Sequence, residues 1–339
     1  MQRRYLELDS MRGLAALMVV VYHYSTWHEQ SLGYSSTTPL FNFWQGSLGV
    51  ELFFMISGFV IFMTIGNKTS ITDFAISRFA RLFPAYWVAV IFTSILLLLA
   101  PIPGREITLV QAAVNLSMLQ KWLGVPSIDG VYWTLAVELS FYFLIGLCAL
   151  TNQLKNIVVW SACLLGAAIL VWAAETYLAL TTSNAIKHTF LLEYGNLFVA
   201  GIMFYLLILH RHGYRYHAII GISLLVEALL RPEAAPIVSA FYVMFYLLYS
   251  NKIGFLQQKY LIYLGNISYS LYLIHQNFGY VVIDIMEQYG LANSISVLIA
   301  PCVLSILISS LMYEYVERPG IKFFKRFRAG VKQSGVQCS

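Results

Sequence analysis

Two histidines, two glutamates and three arginines stand where a very apolar chain would be expected to carry none: His23, His275, Glu51, Glu138, Arg12, Arg78 and Arg81. An imidazole can act as general base on a hydroxyl or carry an acyl group transiently. A carboxylate beside it can orient the ring and stabilise its charged form. Arginines bind phosphate through bidentate, charge-assisted bonds. Spacing adds to residue type. Arg12 and His23 are eleven residues apart in LDSMRGLAALMVVVYH, within about 20° of three full helical turns, so one helix face carries both, roughly 16 Å apart along the axis. Asp9 lies one turn before Arg12 and can pair with it. Arg78 and Arg81 are three apart in ISRFARLFPAYW and point the same way if that segment is helical. Blander readings exist for each. His23 could be a satisfied core or interfacial histidine, Glu51 a snorkelling carboxylate, and the arginine pair a plain cytoplasmic flank.

The elements that must hold these groups follow from composition. Of 339 residues, 59% are hydrophobic and 11% charged, against about 25% charged in an ordinary soluble domain. Such a chain could not cover its own surface with polar groups, so lipid is its solvent. A span needs about 20 apolar residues. The sequence predicts an all-α polytopic membrane protein of about ten helices, near 10–27, 45–65, 83–100, 131–150, 157–178, 189–209, 218–231, 237–250, 261–283 and 294–315. The seventh and eighth flank Arg231-Pro232 and read as a broken hairpin. Pro84 suits the first turn of the third helix, and 107–119 reads as an interfacial helix on the outer surface. The N-terminal apolar run lacks a small-residue cleavage site and reads as a retained helix rather than a signal peptide.

With the N-terminus in the cytoplasm, 17 of the 21 lysines and arginines fall on inner segments. The outer ones are Arg105, Lys121, Lys187 and Arg231. That bias satisfies the positive-inside rule with both termini cytoplasmic. The net charge of +5 is spent on topology, and no basic stripe suggests nucleic acid. Residues 1–320 form the transmembrane domain and 321–339 a basic tail, whose IKFFKRFRAGVK suits anionic lipid of the inner leaflet. Cys148, Cys163 and Cys302 sit in apolar runs and Cys338 in the tail; no metal-ligand spacing or disulfide framework is expected.

Orientation sorts the ionisable groups. Arg12, Arg78 and Arg81 fall at the inner side, and His23, Glu51, Glu138 and His275 in the outer half. Buried ionisable groups mark functional paths by default. Glu314 and Glu317, closing the last helix at its inner end, read as ion-pair partners for the arginines. A ligand spanning this arrangement needs an anionic head in the cytoplasm and a reactive end deep in the membrane. Acyl-CoA has that form. A transporter or flippase is the rival reading, since proton relays use the same groups, but no inverted repeat is detectable. A regulatory scaffold leaves the intramembrane His and Glu unexplained.

At these residues the chain resembles the acyltransferase-3 family of membrane O-acyltransferases. The likeness rests on LDSMRGLAALMVVVYH with Arg12 and His23, GVELFFMISGF with Glu51, RFAR, YWTLAVELSFY with Trp133 and Glu138, SYSLYLIH with Tyr272 and His275, and YVERP. They stand in family order over nearly the whole chain. The resemblance implies a ten-helix core in the bacterial inner membrane that acylates hydroxyls on cell-envelope or secreted glycans such as an exopolysaccharide or O-antigen. It assigns His23, Glu138 and Glu51 to catalysis, and Arg12, Arg78, Arg81 and Trp133 to an acyl-CoA donor, acetyl-CoA by default. Asp9, Tyr272 and His275 go to the substrate. No metal is implied. The expected partners are the glycan acceptor, which the short outer loops suit in a lipid-linked or growing form, and membrane lipid.

Overall fold

A computed structural model describes residues 4–32, 41–65, 70–211 and 213–326. Arg3, Lys68, Arg328, Lys332, Cys338 and the tail beyond residue 326 lie outside the described residues. All the described secondary structure is helical: α1 (Leu6–Tyr22), α2 (His28–Leu32), α3 (Gly49–Ile65), α4 (Ile71–Leu99), α5 (Leu109–Asn115), α6 (Trp133–Leu150), α7 (Ile157–Tyr177), α8 (Asn184–Thr189), α9 (Gly195–His210), α10 (Tyr214–Leu230), α11 (Ala235–Tyr249), α12 (Lys259–Gln288) and α13 (Ser296–Met312). Five stretches, Trp44–Ile65, Ile71–Leu99, Gly130–Leu150, Leu154–Tyr177 and Ser296–Arg326, are long and apolar enough to cross a membrane; α9 and α11 are shorter apolar helices. The lipid-like face is plain on α4, where Ile91, Ile95, Leu98 and Leu99 are more than half exposed. In lipid such exposure costs nothing, and a helix meets all its own backbone hydrogen bonds.

The chain divides into two units. The first comprises residues 1–18, 47–68 and 133–265. Its spine is α3 against α9, which approach backbone to backbone. A Cβ on Gly58 would collide with the Phe198 backbone, and one on Gly201 with the backbone of Met55 and Phe59. Helices in lipid gain little from burying apolar area against one another, so contact as close as small residues allow takes its place. Around that spine α10 packs on α9 and α7, and α6 on α3. The segment at Arg231-Pro232 separates α10 from α11 as two helices of 17 and 15 residues.

The second unit comprises residues 19–46, 69–132 and 266–339. Here the sequence reading needs two corrections. The third helix starts at Ile71, not near residue 83, and Pro84 lies inside it. The start is set by Ser70, whose hydroxyl accepts the Asp73 N–H at 3.1 Å, a capping bond that outweighs the signal from proline. The helical part of the outer segment is also shorter than 107–119: α5 spans Leu109–Asn115, capped by Thr108. Beyond it the Asn115 amide donates to the Pro126 carbonyl at 3.0 Å and accepts the Ile128 N–H at 3.1 Å, closing the loop on itself. Two π-helical turns, His23–Trp27 after α1 and Tyr313–Glu317 after α13, interrupt regular helix. Such turns are rare and recur where a side chain must be re-aimed. Each of these carries a buried ionisable group.

Candidate active site

The first π turn places His23 and the middle of α12 places His275, and within the second unit the two rings meet. His23 Nδ1 lies 3.2 Å from His275 Nε2, the rings edge to face with centroids 4.9 Å apart. Both side chains are buried. Their surroundings fix the tautomers. His275 Nδ1 faces the carbonyl oxygens of Leu271 and Tyr272 at 3.1 and 2.9 Å. A carbonyl only accepts, so this nitrogen carries the proton and Nε2 presents a lone pair. His23 Nδ1 therefore faces two acceptors, His275 Nε2 and the Val19 carbonyl at 2.8 Å. It carries the proton and shares it between them. The remaining nitrogen of His23, Nε2, keeps the ring's lone pair. A neutral imidazole with Nδ1 held by acceptors and Nε2 basic is the form that a general base or acyl carrier needs.

The scaffold of this pair is tied at several points. The Tyr24 hydroxyl lies 2.7 Å from the His275 carbonyl and 2.8 Å from the Ser305 hydroxyl, joining the π turn to α12 and α13. Gly279 leaves the room for that tyrosine, since a Cβ there would overlap its ring. The Tyr132 and Tyr272 hydroxyls donate to the carbonyls of Leu273 and Val131, each at 3.2 Å. So Tyr272, expected to touch substrate, braces α12 against the turn at Gly130–Tyr132.

A polar strap, which the sequence reading missed, binds segment 101–130 to the same stretch of α12. Asp129 is fully buried and accepts backbone N–H groups of Val131 and Asn277 at 3.2 and 3.3 Å. The Asn277 amide donates to the Ile128 carbonyl at 3.1 Å and accepts from Arg105 at 2.7 Å. The Arg105 guanidinium also covers the Tyr280 ring at 4.9 Å. Burial pushes Asp129 up to about 6, against which its backbone bonds and Arg105 act only partly. Burial, then Arg105, holds His28 at about 4, neutral at physiological pH. The sequence signal for the strap was weak: Arg105 and Asp129 stand near the two ends of segment 101–130, which also carries Glu106 and Lys121.

In the same unit stand Arg78 and Arg81, three residues apart on α4. Arg81 forms an ion pair with Glu317, whose other oxygen accepts the Ser270 hydroxyl at 2.8 Å. The second π turn buries that glutamate. Glu314 pairs with Arg318 at 2.8 Å. Arg78 donates to the Ser77 hydroxyl at 3.1 Å and lies over the Phe74 ring at 5.8 Å.

The other expected residues belong to the first unit. Arg12 lies 3.6 Å from Asp9, which also takes Arg4 at 2.8 Å. Glu138 accepts the hydroxyls of Ser57 at 2.9 Å and Tyr142 at 2.5 Å. Glu51 is buried and paired with Arg231 at 2.6 Å. Trp133 packs against His188 and Tyr194, with ring centroids 5.5 and 5.4 Å away.

Comparison with known proteins gives one family: a family model described as an acyltransferase domain matches residues 5–314. Acyltransferase MdmB of Streptomyces mycarofaciens is 31% identical over 155 residues, 42% of this chain and 39% of that one. Nodulation protein 10 of Rhizobium leguminosarum bv. viciae is 28% identical over 157 residues, 40% of this chain and 41% of that one. The chain thus spans about two fifths of the length of these curated relatives. No solved structure matches it.

Proposed function

The chain belongs to the acyltransferase-3 family, and from that premise we propose that it is a membrane O-acyltransferase moving an acyl group, acetyl by default, from cytoplasmic acyl-CoA to a hydroxyl of a cell-envelope or secreted glycan. The observation that carries the reading is the tautomer of His23. A ring whose Nδ1–H is committed to two acceptors, at 2.8 and 3.2 Å, has a basic Nε2 and no freedom to flip. It takes the acceptor hydroxyl's proton as the oxygen attacks the thioester carbonyl, and returns it to the departing thiolate. In an alternative sequence Nε2 accepts the acyl group first. In this reading the orienting partner is His275 rather than a carboxylate.

For the donor's phosphates the proposed ligands are Arg78 and Arg81, with Arg12 assigned the same role through its motif. The buried Glu317 balances Arg81, so Arg81 lends the proposed donor site rigidity as well as charge. The ten-span topology with cytoplasmic ends, the bacterial inner membrane and a lipid-linked or polymeric acceptor complete the proposal, supported by the positive-inside bias and the apolar helices.

The test supplies purified protein with labelled acetyl-CoA and glycan from the host surface. Label moves to the glycan, and His23→Ala abolishes the transfer while acetyl-CoA binding persists. Loss of both together would make His23 structural. Movement of glycan across vesicles without consumption of acetyl-CoA would replace the enzyme reading with a transporter.

A further inference from the structure

A buried polar network in the first unit is left unused by the chemistry at His23. Glu51 opens α3 and Asn196 opens α9, while Arg231 ends α10 one turn after Glu227. Their side chains form one chain of bonds. Arg231 donates to Glu51 at 2.6 Å and to Glu227 at 2.8 Å, and the Asn196 amide donates to the same Glu227 oxygen at 2.7 Å. The Glu51, Glu227 and Asn196 side chains are all more than nine-tenths buried. Yet among the described residues four of their polar atoms have no hydrogen-bond partner: Glu51 Oε2, Glu227 Oε1, Asn196 Oδ1 and Arg231 Nε. Buried polar atoms left in this way are costly, so one cluster of four needs a ligand or its waters.

The chemistry of the vacant positions narrows the ligand. Three accept and one donates. Both carboxylates already engage the one guanidinium, which leaves no positive charge to spare for phosphate or carboxylate ligands. A cation would satisfy the three oxygens and leave Arg231 Nε opposed. A hydroxyl donates one bond and accepts others, so a polyol edge with adjacent hydroxyls offers the mix of donors and acceptors that these four atoms call for. An aromatic wall stands beside the network. Tyr194 lies 4.5 Å below the Arg231 guanidinium, and Trp133 and Phe54 each pack 5.4 Å from Tyr194. Trp133, Tyr194 and His188 are half-buried. A pyranose has an apolar C–H face suited to such rings and a hydroxyl edge suited to the carboxylates.

We infer that Glu51, Glu227, Asn196 and Arg231 form a hydroxyl-recognising subsite for a neutral sugar of the acceptor glycan, with Trp133 and Tyr194 as its stacking wall. The inference rests on the acyltransferase reading and names the acceptor side of it. Glu51 and Trp133 thereby act on the acceptor rather than on the imidazole or the donor.

The experiment uses full-length protein in a detergent without a sugar headgroup, labelled acetyl-CoA, and polysaccharide purified from the host surface. Transfer by the wild type tests the parent reading alone. Given transfer, Glu227→Gln raises the KM for polysaccharide about ten- to a hundredfold, the value of a hydrogen bond to a charged group, and the KM for acetyl-CoA stays in place. Glu51→Gln, which keeps an acceptor for Arg231, behaves alike and serves if the first variant does not fold. Methyl β-D-glucopyranoside raises the unfolding midpoint of the wild type and not of the variants. Unchanged polysaccharide KM in both variants overturns the subsite. Stabilisation of the wild type by sodium chloride but not by choline chloride or the glucoside would make it a cation site and also overturns it. If the wild type transfers nothing yet is stabilised by the glucoside, the parent reading fails and the subsite stands.

Discussion

Replacing His275 separates orientation from chemistry in the imidazole pair. Its Nε2 is the longer of two restraints on His23 Nδ1, 3.2 Å against 2.8 Å to the Val19 carbonyl. Removing it leaves the shorter bond, so the productive tautomer persists and only the ring's aim loosens. A neutral hydrogen bond contributes about 0.5–1.5 kcal/mol net, and 1.4 kcal/mol is about a tenfold factor. His275→Ala should therefore lower kcat by about three- to tenfold, with the KM for acetyl-CoA unchanged. His275→Gln, which can present an amide oxygen to Nδ1, should recover part of the loss. His23→Ala removes the base itself, and general-base catalysis is worth about 10²–10⁴-fold. The assay is labelled acetyl transfer by purified protein, with kcat and KM resolved and the pH–rate profile recorded for each variant. The His275→Gln profile should keep the wild-type shape, because the titrating base is still His23. If His275→Ala is as inactive as His23→Ala, His275 takes part in the chemistry and the orienting role is refuted. If kcat does not change at all, the 3.2 Å contact has no function.

The two arginines of α4 should divide their effects. Arg78→Ala raises the KM for acetyl-CoA with little change in unfolding midpoint. Glu317→Gln lowers the midpoint, because uncoupling a buried pair costs about 3–5 kcal/mol; thermal unfolding in detergent reads both. Gly201→Leu should prevent accumulation of monodisperse protein on size exclusion, since even a Cβ there meets the α3 backbone, whereas the same change at Gly221, where a Cβ meets nothing within 4 Å, should be tolerated. Asp129 has a folded pKa raised from 3.8 to about 6, so the folded state binds the extra proton. Its contribution, worth on the order of 3 kcal/mol, is fully present below about pH 4, is lost as pH rises through about 6, and is gone at neutral pH. Asp129→Asn should flatten that part of the curve of unfolding midpoint against pH.

Much of the fold was legible because its causes are local. Long apolar runs and the sparse charges between them dictate helices in lipid, and each of the ten stretches expected to span is helical over most of its length. The pairing of Glu317 with an arginine was legible too, since both fall at the same end of their helices. Pro84 misled because the capping bond that starts α4 lies eleven to fourteen residues upstream, at Ser70–Asp73. Periodicity leads one to expect Arg12 and His23 on one face of one helix, and depth leads one to expect His23 and His275 in the same half of the membrane. What meets what across helices depends on each helix's rotation about its axis and on the two π turns, and neither is encoded in spacing alone. Only the tertiary structure could give His23 an imidazole as its neighbour, send Glu51 to Arg231, and hang Asp129 and Arg105 from α12. The sequence determined which groups are forced into the low-dielectric interior. Packing decided their partners, because an unpaired charge there is so costly that helices settle where the pairs form.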